Sequence, residues 1–283
     1  MNLSLTIENI SKNKMSTFYY SFLFLPKQKR EAISLVYAWC RATDDIVDSD
    51  LSVSNKRARL LLWAKEFDKA INHKSDYPIL NRVGKIISEF NIPVEHFHEL
   101  ISGMEMDLTK TRYETFDELL NYSYRVASSV GLMCTEIFGY SQKQTIEYSK
   151  MLGYSLQLTN ILRDIKNDAK RNRIYLPLSD LRKFNYSETD LINNLYDERF
   201  IALMKFQFER TKNYFLETKS LLSNEDKPLF IAAEIMRALY FEILLKIEKC
   251  NFDVFNNNVR LSSFKKISIA SKTWWQLRNT NAV

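Results

Sequence analysis

Apolar residues return at three- and four-residue steps through most of the 283-residue chain, and no stretch alternates apolar with polar long enough to suggest a strand. That spacing lays side chains along one face of a helix, so the chain is predicted to be all-α, a set of packed helices. Punctuation agrees. Only five Gly and five Pro occur, where average usage is about 7% and 5%, which leaves too few turn residues for a sandwich or barrel. The spacing predicts helices over 27–48, 54–72, 78–90, 93–110, 116–138, 142–168, 197–221 and 227–250, with 251–265 as a loop before the tail. Thr115 with Glu118 and Ser141 with Gln144 match the capping box, and Pro93 suits a first helical turn. No repeat or Pro/Gly/Ser-rich boundary divides the chain, so 1–283 is expected to be a single domain.

Several functions are excluded early. Gly84, Gly103, Gly131, Gly139 and Gly153 fit neither G-x-G-x-x-G nor G-x-x-x-x-G-K-[ST], so any phosphate must be held without a glycine loop. Cys40, Cys134 and Cys250 are odd in number and far apart, as expected of free thiols in a reducing compartment. His73, His96 and His98 lack a neighbouring cysteine, which removes zinc. Forty Lys and Arg against 34 Asp and Glu give a net charge of +6. That surplus suits an anionic small substrate or an acidic membrane surface and does not indicate nucleic acid. The first fifteen residues lack the apolar core of a signal peptide, and Phe230 to Leu245 is interrupted by Glu234, Arg237 and Glu242. A cytoplasmic protein is expected, with peripheral contact at the inner face of a membrane left open. Nothing in the sequence speaks to oligomeric state.

The chemistry lies in two acidic rows. In YAWCRATDDIVD, Tyr37, Arg41, Asp44 and Asp48 fall on one helix face, while Ile33, Val36, Trp39 and Cys40 make the same helix apolar around much of its girth. In the second row Gln157, Asn160, Asp164 and Asp168 follow each other at three- and four-residue steps among Leu156, Leu158, Ile161, Leu162 and Ile165. Two lines of oxygen ligands in greasy surroundings repel unless cations lie between them, and oxygen-only ligation suits Mg2+. Lys170, Arg171 and Arg173 follow the second row and Arg41 precedes Asp44. Acid, metal and guanidinium together describe a diphosphate site. Ionising an allylic diphosphate then requires apolar and aromatic walls around the cation, and Phe18, Tyr19, Tyr20, Phe22 and Phe24 cluster near the amino end.

Three segments carry a resemblance. YAWCRATDDIVD, YSYRVASSVG (Tyr122 to Gly131) and LGYSLQLTNILRDIKNDAKRNRIYLP (Leu152 to Pro177) resemble the first aspartate motif, the central tyrosine motif and the second, Asn-led motif of the squalene and phytoene synthase family. The resemblance spans nearly the whole chain. It implies the class I terpenoid synthase fold, an all-helical isoprenoid synthase domain with a central cavity. It further implies that Asp44, Asp48, Asn160, Asp164 and Asp168 hold Mg2+, that Ser16, Thr17, Arg41 and Arg173 contact diphosphate, and that Phe18, Tyr37, Gln157 and Tyr175 bind substrate. Tyr122 takes the family's proton-transfer position, so Tyr122, Arg41, Asp44 and Asp48 form the implied catalytic set.

FYYSFLFLPKQKREA (Phe18 to Ala32) and LISGMEMDL (Leu100 to Leu108) look most like the bacterial branch that makes presqualene diphosphate. The expected activity is therefore Mg2+-dependent head-to-head condensation of two farnesyl diphosphates to presqualene diphosphate, on the route to squalene and hopanoids. Without a dinucleotide fingerprint the reaction is expected to stop before reduction. Dehydrosqualene or phytoene synthase is the alternative within the family, and a non-catalytic helical lipid-binding protein the alternative of another class. Asn167 and Asn172 depart from the acidic residue and glycine usual in the second motif, and Ser129 stands where an aliphatic is common.

Overall fold

The computed structural model describes residues 17–279, with side chains from Tyr20 onward. Its regular elements are helices: α1 (Thr17–Phe22), α2 (Lys27–Asp48), α3 (Val53–Ile71), α4 (Pro78–Phe90), α5 (Glu95–Thr109), α6 (Phe116–Ser123), a π-type turn (Tyr124–Ser128), α7 (Ser129–Phe138), α8 (Gln144–Lys170), α9 (Leu178–Lys183), α10 (Glu188–Ile192), α11 (Glu198–Leu221), α12 (Ile231–Lys249) and α13 (Ser263–Asn279). The eight predicted spans correspond to α2 through α8, α11 and α12, with ends shifted by a few residues. Four helices were not foreseen. α1, α9 and α10 run five or six residues, too short to display a period, and α13 carries apolar residues on two sides.

One capping expectation holds by half and the other fails. Thr115 Oγ1 accepts from the Glu118 N–H, but the Glu118 carboxylate turns to Lys110 and the Glu114 N–H. Ser141 does not cap α8: its N–H and hydroxyl both donate to Asp226 at 2.8 Å, and Thr145 Oγ1 donates to the same carboxylate. A buried ionised acceptor makes stronger bonds than the neutral glutamine a capping box would use.

Two apolar cores divide the interior. In the first, Trp39 of α2 lies 5.0 Å from Phe67 of α3 and 4.9 Å from Phe97 of α5, ring to ring. The second gathers on α8, α11 and α12 and includes Phe200 stacked on Phe255 at 4.5 Å. Val126 and Leu156 border both cores. The space between the cores is where the candidate site forms.

The π-type turn sets which residues reach that space. The Ser129 N–H donates to the Tyr124 carbonyl, one residue further back than in an α-helix. The Arg125 carbonyl, which Ser129 N–H would otherwise pair with, accepts instead from Ser129 Oγ at 2.6 Å. A hydroxyl at this position thus has a structural task that an aliphatic residue could not perform. α8 crosses the turn so closely that a Cβ on Gly153 would stand 2.4 Å from Ser128 Cα, so the crossing requires glycine.

Candidate active site

A cavity of about 360 Å³ opens between the two cores, walled by α1, α2, α5, the α6–α7 helices, α8 and α12. Leu100, Met104, Val126, Val130, Leu152 and Met236 give it hydrocarbon walls, and Arg41, Asp44, Asp107, Tyr122, Gln157 and Asn160 bring polar groups to the same space. Among the residues named from sequence, Tyr37, Arg41, Asp44, Tyr122, Gln157 and Asn160 therefore converge on one lining. Phe22 also lines it and meets Tyr37 edge to face at 6.3 Å. Phe24 turns instead to Trp274 of α13, 5.7 Å away. Ser16 lies outside the described residues, as do the side chains of Thr17 and Phe18.

The two acidic rows meet through guanidinium groups. On α2, Arg41 holds Asp44 at 2.7 Å and Asp45 at 3.0 Å. Asp48, one turn on, takes Arg171 at 2.8 Å and Arg173 at 3.4 Å, both from the segment that follows α8. On α8 itself, Asp164 is clasped by its neighbour Arg163. Burial raises the Asp44 carboxyl to about 6, with Arg41 opposing and Asp48, Asp45 and Asp107 adding to the rise. Burial likewise raises Asp168 to about 7, helped by Asp164 and opposed by Arg173 and Arg171. Asp107 raises a carboxyl in each row.

Asp107 is the residue that sequence reasoning missed. It accepts from Tyr122 Oη at 3.1 Å and from Tyr175 Oη at 2.9 Å, and the Arg173 guanidinium reaches its carbonyl at 3.4 Å. Tyr122 and Tyr175 stack with ring centroids 5.1 Å apart, and Tyr113 stacks on Tyr175. Burial raises the Asp107 carboxyl above the ordinary carboxylate value despite Arg173 and the two phenol donors. Burial and the Asp107 charge push both phenols well up, so they stay protonated and donate. The signal was present: Leu100, Met104 and Asp107 share one helix stripe, which places a carboxylate where an apolar residue belongs.

One of the remaining departures from the family pattern has a local explanation. Asn172 adopts φ 58°, the left-handed conformation that glycine or asparagine accepts most readily. Its carbonyl and Oδ1 both accept from Arg112. Asn167 is exposed on α8, seven residues and so two turns beyond Asn160, and nothing in the structure explains the loss of the acid there.

The donor set fits a hard divalent cation held together with phosphate. Asn160 Oδ1 is buried and has no hydrogen-bond partner, an arrangement that costs stability unless something else binds there. Among the described residues no three acid, histidine or cysteine side chains stand close enough to form a metal cage unaided. Magnesium does not need one, since it is commonly held by one or two carboxylates with waters and substrate phosphate. Asp44, Asp48, Asn160, Asp164 and Asp168 offer oxygen alone. No helix among the described residues is long and apolar enough to cross a membrane.

Comparison with known proteins agrees with this geometry. A sequence profile of the squalene/phytoene synthase family matches residues 11–265. A phytoene synthase from Arthrospira platensis is 36% identical over 271 residues, covering 91% of this chain and 88% of that protein. A crystal structure of a dehydrosqualene synthase superposes with a TM-score of 0.85 at 27% identity, over 98% of this chain and 96% of that one. The squalene synthase of Alicyclobacillus acidocaldarius gives a TM-score of 0.80 at 25% identity, over 88% and 94%.

Proposed function

The chain belongs to the squalene/phytoene synthase family, and on that premise we propose that it joins two molecules of geranylgeranyl diphosphate head to head to make phytoene. Its fold is the all-α, single-domain helical fold of class I terpenoid synthases. Condensation of prenyl diphosphates is the chemistry of that superfamily. The product assignment departs from the expectation of presqualene diphosphate, which rested on two short segments. Alignment over 271 residues with a phytoene synthase is the broader support.

The observation that carries the condensation is the meeting, in one cavity, of hydrocarbon walls with an acid–guanidinium cluster and a hydrogen-bonded Tyr122–Asp107 pair. Arg41 and Arg173 bind diphosphate oxygens, and Asp44, Asp48, Asn160, Asp164 and Asp168 hold Mg2+. When bound, magnesium offsets the charge of the departing diphosphate. The C1–O bond of one substrate breaks, the double bond of the second attacks that carbon, and loss of a proton closes a cyclopropane. Departure of the second diphosphate opens the ring, and loss of a second proton gives the C40 hydrocarbon. Leu100, Met104, Val126, Leu152 and Met236 keep water from the allylic cation. The Tyr122 phenol holds its proton against Asp107 and can pass it to a departing diphosphate.

The dehydrosqualene synthase superposition supports a second reading, the same coupling on farnesyl diphosphate. Incubating the purified protein with Mg2+ and each prenyl diphosphate in turn, with and without reduced nicotinamide, separates the two by product mass. A C40 hydrocarbon without reductant is the expected result. Accumulation of presqualene diphosphate or dehydrosqualene from the C15 substrate would replace it, and no turnover with either would favour a lipid-binding role.

A further inference from the structure

We propose that α13 is a docking face for an anionic lipid bilayer. One side of this helix is accounted for: Ala270 packs with Ile235 and Leu239 of α12, and Trp274 meets Phe24. The other side faces water and sets three large apolar residues among Ser268, Ser271 and Arg278. Phe264 is 82% exposed, Ile267 51% and Trp275 62%. At about 100° per residue these three fall within an arc of about 80°. Leu23, in the turn after α1, adds a further exposed apolar side chain on the element that packs against α13.

The charge around this face selects the occupant. α13 carries Lys265, Lys266, Lys272 and Arg278 and no Asp or Glu, and no acid occurs anywhere in 254–283; of the four, Lys265 pairs with Glu242 of α12 at 3.2 Å. Aromatic and aliphatic side chains on one face, with lysine and arginine beside them, are what a helix lying in a lipid headgroup layer presents. A second copy of the chain fits poorly, because pairing two such faces gathers Lys272 and Arg278 of both copies with no acid on either α13 to offset them. A nucleic acid would leave the exposed Phe264 and Ile267 without a partner.

Docking here also places the cavity near the bilayer. Trp274 abuts Phe24, close in sequence to Phe22, which lines the cavity. Release of a water-insoluble hydrocarbon at that corner rests on the proposed reading of the reaction, whereas the docking itself does not. The test is therefore binding of the whole chain to vesicles, which needs no turnover.

Wild-type protein should float with phosphatidylcholine vesicles containing phosphatidylglycerol at low salt, roughly 10²-fold more tightly than with phosphatidylcholine alone, with a blue shift of tryptophan emission. Phe264→Ser/Trp275→Ser should weaken that binding by roughly tenfold or more while circular dichroism stays unchanged. Lys272→Glu, which leaves the apolar face intact, should weaken it severalfold. Leu61→Ser/Leu62→Ser, at an exposed apolar pair on α3, should bind like wild type. Failure of the wild type to bind the mixed vesicles, or equal binding by Phe264→Ser/Trp275→Ser, would overturn the proposal. So would a solution dimer that this double variant converts to monomer, since the face would then belong to a second copy.

Discussion

Arg171 Nη1 stands 2.8 Å from Asp48 Oδ2, tying the segment after α8 to the last turn of α2. Arg173 reaches the other oxygen of the same carboxylate at 3.4 Å. The two arginines differ in setting: Arg171 is 56% exposed and Arg173 only 14%. An exposed ion pair is worth up to about 1 kcal/mol, so Arg171→Ala should barely move the urea midpoint. Arg173→Ala leaves Asp48 without its buried partner and strips the Asp107 carbonyl of a donor, at a cost of about 1–3 kcal/mol. Because Arg173 is also proposed to bind the diphosphate, its loss should lower turnover by about 10²–10³-fold. Equal effects of the two substitutions on urea stability and on kcat would contradict this division.

Tyr122→Phe separates a proton-handling phenol from a core tyrosine. The ring would keep its stacking on Tyr175 and Tyr113, while Asp107 Oδ2 would lose its donor and Oδ1 would keep Tyr175. Stability should fall by about 1 kcal/mol and kcat by about 10²–10⁴-fold. A loss of turnover no larger than the loss of stability would assign Tyr122 to packing alone.

The acidic helices were legible because the apolar and the acidic residues both follow helical spacing: α2 and α8 show their rows in the letters. The stretch from Tyr122 onward was not. Its period reads as one helix over 116–138, which puts Ser129 and Met133 on the face of Tyr122 and Val126. The extra residue in the π-type turn rotates everything beyond it, so Val130, Gly131 and Cys134 line the cavity while Ser129 and Met133 are buried elsewhere. A hydrogen bond that skips one residue has no spacing signature. Asp107 was hidden differently, since an acid in an apolar stripe declares its partners only when distant tyrosines are brought to it.

Gly153→Ala tests the role of that turn. The new Cβ would meet Ser128 backbone at 2.4 and 2.6 Å, contacts that neither helix can relieve by moving a side chain. Overpacking of this kind costs about 1–3 kcal/mol, or a fall in Tm of roughly 2–12 °C. Because Ser128 adjoins the residues that line the cavity, KM should rise with it. A variant as stable as wild type would mean that α8 and the turn can separate freely.

Asp107 should also leave a mark on stability against pH. Burial keeps its carboxyl above the ordinary value of 3.8. Below that value both folded and unfolded chains hold the proton and no difference arises. As pH rises, the unfolded chain ionises first while the folded one retains its proton, so folded stability falls until pH has passed the folded value. Wild type measured relative to Asp107→Asn should therefore lose stability as pH rises from the ordinary carboxylate value toward neutrality. Urea titrations of both proteins across that range check the sign, and a relative gain in stability with rising pH would contradict it.

Asn160 supplies the sharpest test of the cation site, because its Oδ1 is buried without a partner. An unsatisfied buried acceptor costs about 1–3 kcal/mol, which the protein carries in the absence of any ligand. Replacing it by a residue of similar volume that lacks the acceptor, Asn160→Leu, should leave metal-free stability equal to or above that of wild type. Wild type should gain Tm on addition of Mg2+ with inorganic diphosphate, and the variant should gain much less, with turnover falling in parallel. The two readouts move in opposite directions only if the acceptor is kept for a ligand. If Asn160→Leu instead destabilises the metal-free protein and responds to Mg2+ and diphosphate as wild type does, the oxygen serves packing and the second row must bind its cation without it.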